Sequence, residues 1–120
     1  MQQFIDGIVL NDVFTVGLRN LKKNMSAIND LNVFPIPDGD TGENMYMTID
    51  GGLNGLRGVT ENSISKKANA LASGMLINAR GNSGVILSQF FYGIATGLLD
   101  FETADIYTLA NAFKKGVNQA

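Results

Sequence analysis

The chain has neither cysteine nor histidine among its 120 residues. Without cysteine there can be no disulfide, thiolate nucleophile or thiolate zinc site. Without histidine an imidazole base or metal ligand is also excluded, so any catalysis must use carboxylates, amides, hydroxyls, Arg, Lys or a metal. An excess of charge is lacking too. The net charge is −2 with both signs scattered, so no basic stripe offers itself to nucleic acid, which is not expected as a partner. Met1 to Leu10 holds Asp6 but no Lys or Arg, unlike the charged head of a signal peptide. No uninterrupted apolar run reaches the roughly 18 residues of a membrane span, and the richest, Gly84 to Leu99, is broken by Ser88 and Gln89. These absences predict a soluble, cytoplasmic protein with no membrane span. Hydrophobic residues make up 45% of the chain, enough for the core of one small globular domain.

What is present reads as helix. Phe14, Leu18, Leu21, Met25 and Ile28 recur at four- and three-residue steps, the face of a first helix running from Asn11 or Asp12 to between Asp30 and Val33. Met1 to Leu10 is expected to be an extended or turn-like lead-in, and Lys22 and Lys23 a solvated face. Pro35 and Pro37 force their preceding residues out of helical geometry and make a stiff segment leading to Asp38. A second helix, capped by Asp40 or Thr41, places Met45, Ile49, Leu53 and Leu56 on one face. Gly51, Gly52, Gly55 and Gly58 are expected to fray its far end.

A third helix, capped by Asn62 or Ser63, buries Ile64, Ala68, Leu71, Ala72 and Met75. The fourth begins at Asn82 or Ser83 and is apolar on most sides, which marks it as the buried one; Phe90, Phe91 and Leu98 are read as core rather than lipid pocket. A fifth starts near Thr103 with Ile106, Leu109, Ala110, Phe113 and Val117 on one side, and its pattern is still running at Ala120. The fold class is therefore all-α, with about five helices, and the chain is expected to be a piece of a longer domain. Alone, such a piece would leave one side of its apolar set uncovered.

The chemistry is concentrated in two stretches. Within Pro37-Asp38-Gly39-Asp40-Thr41-Gly42-Glu43-Asn44-Met45, Asp38, Asp40, Thr41 and Asn44 crowd two carboxylates, a hydroxyl and an amide into one turn. Asp38 and Asp40, separated by Gly39, can converge on one hard cation if the chain bends sharply there. An EF-hand is excluded, because Glu43 and Ile49 stand where its glycine and bidentate acid belong. An Asp-Gly turn capping a helix is the plainer alternative. The second stretch, Arg80-Gly81-Asn82-Ser83-Gly84, opens a helix whose exposed N–H groups and positive dipole end suit phosphate, or it simply turns and caps. It is not a P-loop, since no Lys-Ser or Lys-Thr follows the glycines, and no βαβ pattern supports a Rossmann site.

The run from Leu31 to Met45, followed by the run from Ala79 to Gln89, resembles the nucleotide-binding domain of the dihydroxyacetone kinase family. Within that family it is most similar to the N-terminal, ATP-binding domain of bacterial fatty acid kinase. The resemblance implies the N-terminal portion of an antiparallel helical barrel that holds ATP at one end through two Mg²⁺ ions. It carries Asp38 and Asp40 over as metal ligands, and places Asn32, one residue out of step, where relatives have a third aspartate. Thr41 stands where many dihydroxyacetone kinases carry histidine. Thr41, Gly42, Asn44, Met45, Gly81, Asn82, Ser83 and Gly84 are then the nucleotide-contacting candidates. Arg80 either offsets phosphoryl charge alongside the catalytic Asp38 and Asp40, or caps the third helix.

The resemblance also implies the reaction, phosphorylation of a fatty acid presented by a fatty-acid-binding partner protein. A carboxylate acceptor is already ionised near neutral pH and needs no base, in keeping with a chain that has no histidine. The alternatives are a dihydroxyacetone kinase-like subunit, or a non-catalytic interaction module holding ADP as a fixed coenzyme. A homo-oligomer is compatible with any of these.

Overall fold

A computed structural model describes residues 3–31 and 40–120. The described residues form α1 (Gly7–Asp30), α2 (Thr41–Leu56), α3 (Ile64–Ile77), α4 (Gly81–Gly97) and α5 (Ile106–Gln119). They contain no β-strand, only an isolated antiparallel bridge between Ile5 and Ala104. The fold is all-α, as the periodicity predicts.

Side-chain caps decide where three helices start. Asp6 accepts a 3.0 Å hydrogen bond from the Val9 N–H, which begins α1 at Gly7 and shortens the expected lead-in. That bond, and one donated by Asn62 Nδ2, hold the Asp6 carboxyl below the usual carboxylate range. The Ile8 N–H donates to Asn62 Oδ1, so the start of α1 is tied to the segment entering α3. Ser63 caps α3 and Asp105 caps α5 in the same way. At its other end α1 stops at Asp30, within the expected window. The proline segment beyond it lies outside the described residues.

Successive helices pack antiparallel. Gly42, at the start of α2, lies against Met25 and Ile28 near the end of α1, and Gly52 lies against Leu71 and Met75 of α3. Gly97 and Gly93 of α4 meet Ala112 and Gly116 of α5 in reverse order. The core sits around α3, whose predicted face is buried throughout. Ile64, Leu71 and Met75 are fully enclosed together with Leu98, each worth about 1.5–3 kcal/mol of apolar burial. Phe91 bridges the two core clusters and stacks edge-on against Phe14, 4.8 Å between ring centres.

Two sequence expectations fail here for one reason, that small residues bring backbones together. First, the α2 glycines do not fray the helix. Gly51 and Gly52 are buried, and a Cβ on Gly74 of α3 would sit 2.6 Å from the Gly51 carbonyl oxygen. Second, α4 is less enclosed than α3. It buries Gly84, Ser88, Gly93, Ile94, Ala95 and Gly97, while Val85 and Ile86 are exposed. On α5 the residues turned inward are Ala112 and Gly116, while Ile106, Phe113 and Val117 of the apolar side are exposed and Leu109 is partly buried.

Candidate functional site

The starts of α2 and α4 lie side by side. Each is antiparallel to α3, so the two helices run in the same direction, and residue pairs step along them together: Asn44 beside Gly81, then Thr48 beside Gly84. Two helix N-termini therefore open at one end of the molecule. Each carries the equivalent of roughly half a positive charge, which favours an anion between them.

Gly81 has a φ of +67°, a conformation that suits glycine. A Cβ there would also lie 2.5 Å from Asn44 Nδ2, so the missing side chain is what lets the Asn44 amide rest against the first turn of α4. Thr48 locks the arrangement. Its hydroxyl, fully buried, donates to the Asn44 carbonyl at 2.7 Å and accepts from the Arg80 N–H at 3.2 Å. The same hydroxyl faces Gly84, where a side chain would collide with it. Thr48 was not singled out from the sequence. Its only signal there is a hydroxyl one helical turn after Asn44.

The orphan amides of the two helix starts are treated differently. On α2 the Gly42 and Glu43 N–H groups both donate to Asn29 Oδ1 of α1, at 2.8 and 3.3 Å. Asp40 is the α2 N-cap residue, yet its side chain makes no cap hydrogen bond; its carbonyl accepts from the Asn44 N–H at 2.9 Å. An amide from α1 thus takes over the capping, a role the sequence reading gave to Asp40 or Thr41. On α4 the N-cap is Arg80, again without a side-chain cap bond, and the Gly84 N–H is already committed to the Arg80 carbonyl. Gly81, Asn82 and Ser83 supply the first-turn amides.

Arg80 has an extended backbone and an exposed side chain. The end of α3 is closed instead by Asn78, whose Nδ2 and N–H both donate to the Gly74 carbonyl. Of the two roles open to Arg80, capping α3 is therefore already filled by another residue. Thr41, Asn44 and Met45 are half-buried around the α2 start, with Gly42 buried between α1 and α2. Asp38 and Asn32 lie outside the described residues. Among the described residues no three acids gather into a metal site. Asp40, Thr41 and Asn44 nevertheless bring carboxylate, hydroxyl and amide oxygens into one helical turn, a donor set that suits a hard cation such as Mg²⁺.

Residues 35–120 match the DAK2 domain model. The chain belongs to the DAK2 domain family. This is a family of dihydroxyacetone kinase-type domains, and the match takes in Asp38, Asp40 and the Arg80–Gly84 turn while leaving Asn32 outside it. Protein YloV of Bacillus subtilis is 40% identical over 116 residues, and an uncharacterized protein of Staphylococcus saprophyticus is 39% identical over the same length. An uncharacterized protein of Staphylococcus aureus is 40% identical over 120 residues. Each alignment covers 97% of this chain and 21% of the relative, so the chain spans about a fifth of the length of the curated relatives it matches. No helix among the described residues is long and apolar enough to cross a membrane.

Proposed function

We propose that this DAK2-family chain is the N-terminal portion of an ATP- and Mg²⁺-dependent phosphotransferase domain whose acceptor is a fatty acid carboxylate. The observation that carries the reading is the side-by-side opening of α2 and α4, with Asn44 against Gly81 and Thr48 bonded to Arg80. In this reading the amides of Gly81, Asn82 and Ser83 receive phosphate oxygens at the α4 dipole. Asp38 and Asp40, with oxygens from Thr41, Asn44 and Asn32, hold the divalent ions that the nucleotide brings. Met45 lines the approach along α2, Gly42 lets α2 start close against α1, and Gly84 keeps Thr48 in place. Arg80 lies at the α4 start and offsets charge that develops on the phosphoryl group.

The bound ions would neutralise phosphate charge. The protein's own part is to position the donor and exclude alternative geometries, which is most of what phosphoryl transfer asks of it. A carboxylate acceptor arrives without a proton to remove, so the absence of histidine from this chain is no obstacle.

The test uses the full-length protein with Mg-ATP and a fatty acid delivered by a lipid-binding protein, trapping acyl phosphate as its hydroxamate. We expect carboxylate-dependent hydroxamate and ADP in equal amounts. Turnover with dihydroxyacetone but not with fatty acid would overturn the acceptor assignment. Tight Mg-ADP binding with no turnover on either acceptor would replace the enzyme reading with that of a nucleotide-holding module.

A further inference from the structure

A second concave site lies on the other half of α2. There α1, α2, the segment that follows α2 and Lys67 in the first turn of α3 line an open cleft of about 420 Å³, near the lower end of the range for small-ligand sites. Arg19, Arg57 and Lys67 line it with a single acid, Asp50, while Leu18 and Leu53 are among its apolar lining. Three cations against one carboxylate leave two net positive charges, in a chain whose total is −2. This concentration is not neutralised from within: among the described residues neither arginine makes an ion pair, and the one ion pair found joins Lys66 to Glu61. The Lys67 ammonium is anchored by one bond, donated to the Val59 carbonyl at 2.8 Å, which leaves its other N–H directions available.

A concave surface of one charge sign with apolar walls concentrates counter-ions. Guanidinium groups match the paired oxygens of phosphate or carboxylate. The two net charges select between these, because a phosphate monoester is largely a dianion at neutral pH and a carboxylate carries one charge. We propose that this cleft binds a phosphate monoester bearing a short apolar group, with the phosphate between Arg19, Arg57 and Lys67 and the apolar part on Leu18 and Leu53. The proposal is independent of the nucleotide reading. Arg57 follows Asn44 along α2 by a helical rise of about 20 Å, too far for one group to be shared by both sites.

The test titrates butyl phosphate into the full-length protein by calorimetry, with pentanoate and butanol as comparison ligands. The expected result is one site for butyl phosphate, weaker binding of pentanoate and none of butanol. Arg19→Glu and Arg57→Glu should each lower butyl phosphate affinity by at least about tenfold, the loss of a charge-assisted contact. Both arginines are exposed, so the variants are expected to keep the parent's helical spectrum. Equal affinity in Arg57→Glu, or pentanoate binding as tightly as butyl phosphate, would overturn the proposal.

Discussion

Asp40→Ala is expected to weaken Mg-ATP binding by at least about 100-fold, at or beyond the upper end of what removing an outer-shell partner of a metal site costs. The same change should move unfolding by less than about 1 kcal/mol. These two effects separate because capping of α2 is not done by the Asp40 carboxylate. Asn29 Oδ1 takes the Gly42 and Glu43 amides, and the Asp40 contact to Asn44 is made by its backbone carbonyl, which alanine keeps. Asp38→Ala should lower Mg-ATP affinity alike, as the second acid of the proposed cation site. Calorimetry with Mg-ATP, alongside urea unfolding of the apo protein, checks both halves. Wild-type affinity in the Asp40 variant would remove Asp40 from the site.

Gly74→Ala should destabilise the fold by about 1–3 kcal/mol, even though alanine is the better helix former. The added methyl would lie 2.6 Å from the Gly51 carbonyl oxygen and 3.0 Å from the Gly52 Cα. Both are backbone atoms, so neither can move aside by changing rotamer; α2 and α3 must separate and uncover Leu71 and Met75. Gly17 of α1 provides the opposite case, since nothing lies within 4 Å of a Cβ there. Gly17→Ala should stabilise by about 0.5–1 kcal/mol. Urea midpoints for the two variants should therefore move in opposite directions. A Gly74→Ala midpoint at or above that of the parent would show that α2 and α3 do not meet through their glycines.

The α3 face and the α1 stop were legible in the sequence, because three- and four-residue spacing reports which side of a helix is apolar and because Pro35 and Pro37 require the first helix to end before them. The same spacing did not show how α5 packs. Periodicity registers large side chains, whereas α5 meets α4 through Ala112 and Gly116, where the contact depends on side chains being small. Gly51 and Gly52 misled for the same reason. Low helix propensity reads as fraying, and only the approach of Gly74 shows what the glycines are for. At the site, the Asp38–Asn44 and Arg80–Gly84 stretches stood out by composition. Asn29 and Thr48 did not, because a capping amide supplied by another helix and a buried hydroxyl joining two helices depend on tertiary contacts that a local motif does not contain.

The central claim is that the Asp40 turn and the α4 start serve one bound nucleotide and its metal. The most direct measurement compares backbone amide NMR signals of the isotope-labelled protein in Mg²⁺ alone and in Mg²⁺ with ADP. The account predicts ADP-dependent shifts at Gly81, Asn82 and Ser83 that Asp40→Ala abolishes, with Arg57 and Lys67 unmoved. Shifts at Gly81 to Ser83 that persist undiminished in Asp40→Ala would contradict it, because the phosphates would then be held without the metal assigned to the Asp40 turn.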